Sequence, residues 1–331
     1  MKKVFMGAMT VAMLMATTGA MAAKAEDAPA AACTGLKVAT GPAGKGYSAV
    51  FKDVKAVCGA TVQLCEVNTN GAVDNLPALS TKEADIGFAT VDTWAKMKQG
   101  DENIAGLQAI MGLNFNYLHV VVASRGFEVQ APATWGGMVK GDKSTVVIQK
   151  FSELRGRKVA AVGSGQLLGR VIDKQGGYNL QIVDVETDAQ ALDMVKKGQV
   201  AAVFTVSGWP SGVLRGLKQD AGVTLVPFDV PTGDPIYQVR QVSYKGLGVF
   251  NNNALAIPNV LFTRPFKGEK AAEVSKLRSC LREKVEILKE GDFAPAWNEI
   301  KSADNTFDVP KFAGPAASPA ATAQAPTVKK K

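Results

Sequence analysis

Residues 158–198 read KVAAVGSGQLLGRVIDKQGGYNLQIVDVETDAQALDMVKKG. Lys158 to Val162 is a short apolar run of β-favouring residues, Gly163-Ser164-Gly165 is a small-residue turn, and Leu167 to Lys174 carries helical spacing. Gln181 to Val185 then repeats the strand pattern and Ala189 to Lys197 the helical one. Strands that alternate with amphipathic helices predict an α/β fold built on parallel strands. Val200 to Thr205 and Val223 to Pro227 complete this set as two further strands.

An equivalent set precedes it. Leu36 to Thr40 reads as a strand, and Tyr47 to Val57 places Val50, Phe51, Val54 and Val57 on one helical stripe that ends at Gly59. Thr61 to Val67, Asp85 to Ala89, Leu107 to Met111 and Leu118 to Ala123 are further strands, with a short helix around Val73, Leu76 and Leu79. Asn259 to Thr263 reads as a strand that returns to the first set, followed by helix from about Ala271 to Lys289. A chain that leaves one lobe, builds a second and comes back implies two crossing strands, a hinge, and a cleft between the lobes. The expected architecture is therefore two-lobed, with lobe I formed by 23–122 and 255–312 and lobe II by 123–254. Residues 126–150 form an insertion in lobe II, read as a surface loop with the makings of a hairpin.

Both ends differ from this pattern. Lys2 and Lys3, the apolar run Val4 to Met15 and Ala20-Met21-Ala22 read as a secretory signal over residues 1–22, so the mature chain is expected to begin at Ala23 in the periplasm. Residues 313–331 hold seven alanines, three prolines and no aromatic residue, and are expected to be a disordered tail. In an exported protein four cysteines pair by one of three connectivities. Adjacent first and second strands favour Cys33 with Cys58, leaving Cys65 and Cys280 as a pair or as buried thiols.

Composition narrows the function. One histidine, His119, excludes any multi-histidine metal site, and its place in an apolar run reads as structural. The formal charge of +8 includes Lys2, Lys3, Lys329, Lys330 and Lys331 at the chain ends; without them +3 remains, with no interleaved aromatics, so a nucleic-acid partner is not expected. Each lobe carries a strand that runs into a glycine-rich helix start: Thr40-Gly41-Pro42-Ala43-Gly44-Lys45-Gly46 in lobe I and Val162-Gly163-Ser164-Gly165-Gln166 in lobe II. Free amides and the positive helix end at such turns suit a carboxylate or phosphate, which would be held from both sides. Lys45 adds a mobile ammonium and Tyr47 a hydroxyl. Asp92, after Thr90, either faces the cleft or caps the helix over Thr93 to Lys98, and Trp209 either covers a ligand or packs its turn. Gly163, Gly165 and Gly169 with Asp184 approach a dinucleotide fingerprint, so an exported NAD(P)-dependent oxidoreductase is the rival of a different class.

The motifs resemble, in register, solute-binding proteins of the TAXI type, which serve tripartite ATP-independent periplasmic (TRAP) transporters. Thr40-Gly41-Pro42 with Gly44 to Tyr47 resembles that family's T-G-x-x-G-G-T-Y-Y, and Thr69 to Leu76 (TNGAVDNL) its T-x-G-S-V-E-N-L. Glu83-Ala84-Asp85-Ile86-Gly87 resembles its G-E-A-D-I-G, and Asp92 its following aspartate. Glu153 to Val159 resembles D-L-K-G-K-x-V, Gly163-Ser164-Gly165 resembles G-S-G-T, and Phe204 to Pro210 resembles F-x-x-x-G-x-P. Gly46, Ser48, Ala72 and Gln166 depart from the pattern by losing or moving hydroxyls, and Lys45 replaces a glycine. The resemblance implies a type II periplasmic-binding-protein fold and a monomeric receptor without catalytic activity or cofactor. It implies capture of a small anionic solute, a dicarboxylate or acidic amino acid, for delivery to a TRAP-type permease; a sensor subunit without a transport role shares the same fold. The ligand set it implies is Gly44, Lys45, Gly46, Tyr47, Asn70, Gly71, Ala72, Thr90 and Asp92 in lobe I, with Ser164, Gly165, Gln166, Ser207, Gly208 and Trp209 in lobe II.

Overall fold

The computed structural model describes residues 34–131 and 141–314; the signal segment expected over 1–22, Cys33 and all but the first two residues of the expected tail lie outside them. β1 (Leu36–Ala39), β2 (Leu64–Val67) and β3 (Ile86–Thr90) form a parallel sheet with β1 in the centre. α1 (Gly46–Cys58) follows β1 and buries Val50, Phe51, Val54 and Cys58, the expected stripe advanced at its end from Val57 to Cys58. α2 (Ala72–Ser80) follows β2, and α3 (Val91–Met97) and α4 (Glu102–Ala105) follow β3.

The chain then enters β4 (Gln108–Ala123), sixteen residues long and buried along almost its whole length. The sequence predicts two strands here. Asn114 and Asn116 interrupt the apolar pattern, yet the backbone runs straight through them. A two-stranded antiparallel hairpin, β5 (Phe127–Gln130) with β6 (Lys143–Val146), occupies the insertion, and residues 132–140 lie outside the description.

β7 (Lys158–Val162), β8 (Gln181–Val185) and β9 (Ala202–Gly208) form a second parallel group, with α5 (Ser164–Gly176) and α6 (Asp188–Lys196) between them. Glycine spacing in α5 has a packing cause. A Cβ at Gly165 would lie 2.5 Å from the Phe204 carbonyl oxygen, and one at Gly169 would lie 3.1 Å from the Phe204 ring. Only a helix bare at both positions can lie this close to β9, so the near-fingerprint spacing follows from helix-on-strand contact.

After β10 (Val223–Leu225) and β11 (Gln238–Tyr244), β12 (Val249–Thr263) returns to the first group. Its first part pairs with β11 and its last part, Asn259 to Thr263, pairs with β3. β4 is shared in the same way: Gln108 to Gly112 lie beside β12 in the first group, and Asn116 to Val121 lie beside β9 in the second. The strand order is β2-β1-β3-β12-β4-β9-β7-β8, so two antiparallel strands cross between two parallel halves. Each half has apolar clusters of its own, around Phe51, Phe88 and Trp297 or Trp94 and Phe262 in the first and around Phe151 and Phe204 or Val203 and Tyr244 in the second. The fold is the expected two-lobed mixed α/β architecture.

α7 (Gly268–Glu290) packs on α1, and here the expected cysteine pairing is corrected: Cys58 is bonded to Cys280, not to Cys33. Cys58 is the last buried residue of the α1 stripe and therefore faces α7 rather than the sheet edge. Cys65 is disulfide-bonded as well. The final residues cross back over β4, where Ala109 donates to the Pro310 carbonyl and Gly112 to that of Asn305.

Candidate ligand-binding cleft

In each half the parallel strands end at the same side, and their turns carry the motifs. Open α/β sheets place ligands outside the carboxyl ends of their strands. In the first half the turns are tied together by Asn75, which is fully buried. Its amide donates to the Thr40 carbonyl at 3.1 Å and the Phe88 carbonyl at 2.7 Å, and its carbonyl accepts from Thr69 Oγ1 at 2.6 Å. Gly41 and Gly71, with φ of +135° and +113°, bring the two loops into backbone contact; a Cβ on Gly41 would sit 3.4 Å from the Gly71 Cα.

α1 opens with the amides of Gly46, Tyr47 and Ser48 unpaired within the helix, because the first helical bond runs from Ala49 to the Lys45 carbonyl. Gly44 and Lys45 are exposed beside them. The Asn70 side-chain amide donates to Asp74 Oδ2 at 2.7 Å, across the first turn of α2. Ala72 is buried.

Tyr47 lies half-buried, its ring stacked on Phe88 at 5.3 Å between centroids. Its hydroxyl donates to Asn259 Oδ1 at 2.7 Å and accepts from Asn116 Nδ2 at 3.2 Å. Asn259 in turn donates to Asn116 Oδ1 at 2.9 Å and Asn114 Oδ1 at 3.2 Å. This amide network sits where β4 and β12 cross. Burial, reinforced by the charge of Asp92, pushes the Tyr47 phenol far above its ordinary pKa, so it remains a neutral donor.

Thr90 and Thr93 share a 2.8 Å hydroxyl bond. Asp92 lies half-buried beside them, with Oδ1 accepting from the Thr93 amide at 2.7 Å and Oδ2 from the Tyr237 hydroxyl at 3.4 Å. Burial raises the Asp92 carboxyl above the usual carboxylate range, against the pull of these donors. Tyr237 belongs to the segment before β11, so this contact joins the halves.

From the second half, Ser164, Gly165 and Gln166 open α5, and the Gln166 amide leans on the Val185 carbonyl at 3.5 Å. Asp188, at the start of α6, accepts from Thr205 Oγ1 at 2.9 Å and lies 3.8 Å from Lys45 Nζ. Lys45 therefore faces a fixed carboxylate. In β9, Gly208 pairs with Asn116 and Ser207 with Tyr117, so the two adjacent residues address opposite sheet faces. The Ser207 hydroxyl is buried with no partner among the described residues. Trp209 packs its turn: Nε1 donates to the Ser243 carbonyl at 3.3 Å and the ring lies against the Leu214 and Tyr244 cluster. His119 is buried, with Nε2 2.7 Å from the Tyr244 hydroxyl.

Asn114, Asn116, Asp188, Tyr237 and Asn259 are absent from the sequence-derived set. The one local signal is Asn-Phe-Asn-Tyr at 114–117, where amides alternate with aromatics at strand period. Asp188 and Tyr237 carry no such mark, since only the fold brings them to the first half.

Among solved structures, the chain is similar to the amino acid ABC transporter substrate-binding protein AbpA from Streptococcus pneumoniae bound to L-arginine, at 15% identity over 76% of this chain and 89% of that one, with a TM-score of 0.45. It is similar to an arginine third transport system periplasmic binding protein from Legionella pneumophila at 12% identity, covering 75% and 92%, TM-score 0.43. The effector-binding domain of QuiR in complex with shikimate matches at 9% identity, covering 73% and 94%, TM-score 0.43. The family model that matches spans residues 38–246, from β1 through both glycine-rich turns to the end of β11, and with that span the chain belongs to the NMT1-like family.

Proposed function

We propose that the chain is a periplasmic receptor that captures a small organic carboxylate between its halves and delivers it to a TRAP-type membrane permease. The observation that supports this reading is the meeting of two helix-opening turns, that of α1 in one half and that of α6 in the other, joined by Lys45 and Asp188. Unpaired amides at Gly46, Tyr47 and Ser48 are donors for one carboxylate, and the α5 start at Ser164 and Gly165 offers a second set. Gly44, Lys45, Gly71, Thr90, Asp92, Gln166 and Gly208 are the further residues this reading assigns to the ligand. The boundaries proposed for the lobes are 23–122 with 255–312 and 123–254, and closure is a population shift in which a ligand that touches both favours the shut form. No reaction is assigned, and the TAXI resemblance supplies the permease type.

A thermal-shift screen of residues 23–331 against carboxylates, amino acids, sugars and reduced nicotinamide cofactors tests the reading. A ligand at a hundredfold excess over its Kd adds about 2.7 kcal/mol and moves the midpoint by several degrees. Response to carboxylates supports the receptor; response to the cofactor alone revives the oxidoreductase.

A further inference from the structure

We propose that the second half carries a ligand site of its own, apart from the residues assigned to the cleft: a cavity between the end of α5 and the segment joining β10 to β11, which takes a neutral, ring-bearing molecule. The inference does not depend on the receptor reading above.

The cavity measures about 260 Å³. Ile172, Tyr178, Phe228, Tyr237 and Leu255 form its wall, all of them buried and all members of one apolar cluster. Its rim is exposed, with Gln175 and Gly176 on the helix side and Gly233 on the other. Small-molecule sites commonly have this form, an apolar, aromatic hollow with a few polar groups at its edge.

The aromatic walls are fixed by their own neighbours. Phe151 packs on Tyr178 at 5.1 Å and on Phe228 at 4.8 Å between centroids, and the Tyr237 hydroxyl donates to Asp92 at 3.4 Å. Tyr178 also depends on the glycine at 176, because a Cβ there would run into its ring. Walls already held in place bind without the ordering cost that a mobile pocket incurs.

Charge and size define the occupant. None of the residues lining the cavity is charged. The carboxylates next to the walls in sequence are engaged elsewhere: Asp173 with the Leu180 amide at 2.9 Å, Asp229 with the Ser152 amide and hydroxyl, and Asp234 with the Ile236 amide. An ion entering here would lose its water with no counter-charge to replace it, which favours a neutral molecule. Three aromatic side chains in the wall favour a ring, which they can meet by stacking or edge contact. A dry apolar cavity of about 150 Å³ holds benzene, so this one has room for a substituted ring or a fused pair. Gln175 at the rim offers a donor and an acceptor to a hydroxyl or ring nitrogen.

The test is calorimetric titration of the full chain with phenol, indole and cyclohexanol, and with benzoate and benzylammonium as charged counterparts. The expected result is saturable binding of at least one neutral probe with Kd below about 1 mM. Gln175→Trp and Thr232→Trp each place an indole at the mouth, and at least one of them should weaken that probe by about tenfold or more. Gln175 is exposed, so its variant should keep the unfolding midpoint of wild type. Silence of all three neutral probes overturns the inference, as does full affinity for the neutral probe in both variants. A charged counterpart that binds as tightly as the neutral probe and competes with it overturns the neutral class. None of these outcomes touches the receptor reading, which the carboxylate screen decides.

Discussion

Lys45 Nζ stands 3.8 Å from Asp188 Oδ2, and the other oxygen of that carboxylate accepts from Thr205. The first turn of one half thereby touches the first helix turn after β8 in the other. With the ammonium 63% exposed, the pair contributes under about 1 kcal/mol to stability. Lys45→Ala is expected to lower carboxylate affinity by less than about tenfold, because the ammonium is already engaged. The same variant, measured without ligand by small-angle scattering, should show a larger radius of gyration at low salt than wild type. Identical scattering would mean that the pair does not hold the halves together.

The Cys58–Cys280 bond closes a loop of 222 residues. Cross-links over long loops restrict the unfolded chain most, and removing this one by Cys58→Ser with Cys280→Ser is expected to cost about 3 to 5 kcal/mol. Guanidinium titrations of both proteins check it; coincident midpoints would show that packing of α1 on α7 suffices.

The single histidine gives a clean acid response. Burial lowers the His119 pKa from 6.5 to about 4, so between those values the unfolded chain takes a proton that the folded chain refuses. Its contribution is complete above 6.5 and is lost as the pH falls toward 4, a loss of about 3 kcal/mol. Asp92 and Glu299, both raised by burial, respond with the opposite sign, binding protons in the folded state first. The comparison to make is therefore between wild type and His119→Gln: urea midpoints should diverge less at pH 4 than at pH 7, and a constant gap would place the imidazole's titration elsewhere.

Asn259 is fully buried with three partners, Tyr47, Asn114 and Asn116. Tyr47→Phe leaves its Oδ1 without that donor and should destabilise by about 1 to 3 kcal/mol. Chemical denaturation measures the cost. A neutral result would require water to replace the phenol at the crossing.

Strands flanked by glycine turns were readable to the residue, as β7 and β8 show, because Val and Ala runs stop abruptly at Gly163 and Glu186. β4 and the first part of β12 were not, since Asn114, Asn116, Asn251, Asn252, Asn253 and Pro258 break the apolar pattern while the paired neighbours keep the backbone extended. The helix-opening turns were legible through Gly41, Gly71 and Gly163, whose positive φ favours glycine. Their partners were hidden: Asp188 reaches Lys45 across the whole of β4 to β8, and no local spacing encodes that distance.

The crossing of β12 also sets an order on synthesis. β7, β8 and β9 follow one another in the chain and pair among themselves once β9 is made. β3, by contrast, waits for Asn259 to Thr263 before its second edge is paired, and Cys58 waits for Cys280. The half that begins the chain is the half completed last, so a truncation before Asn259 leaves the second edge of β3 unpaired, and one anywhere before Cys280 leaves Cys58 without its disulfide partner.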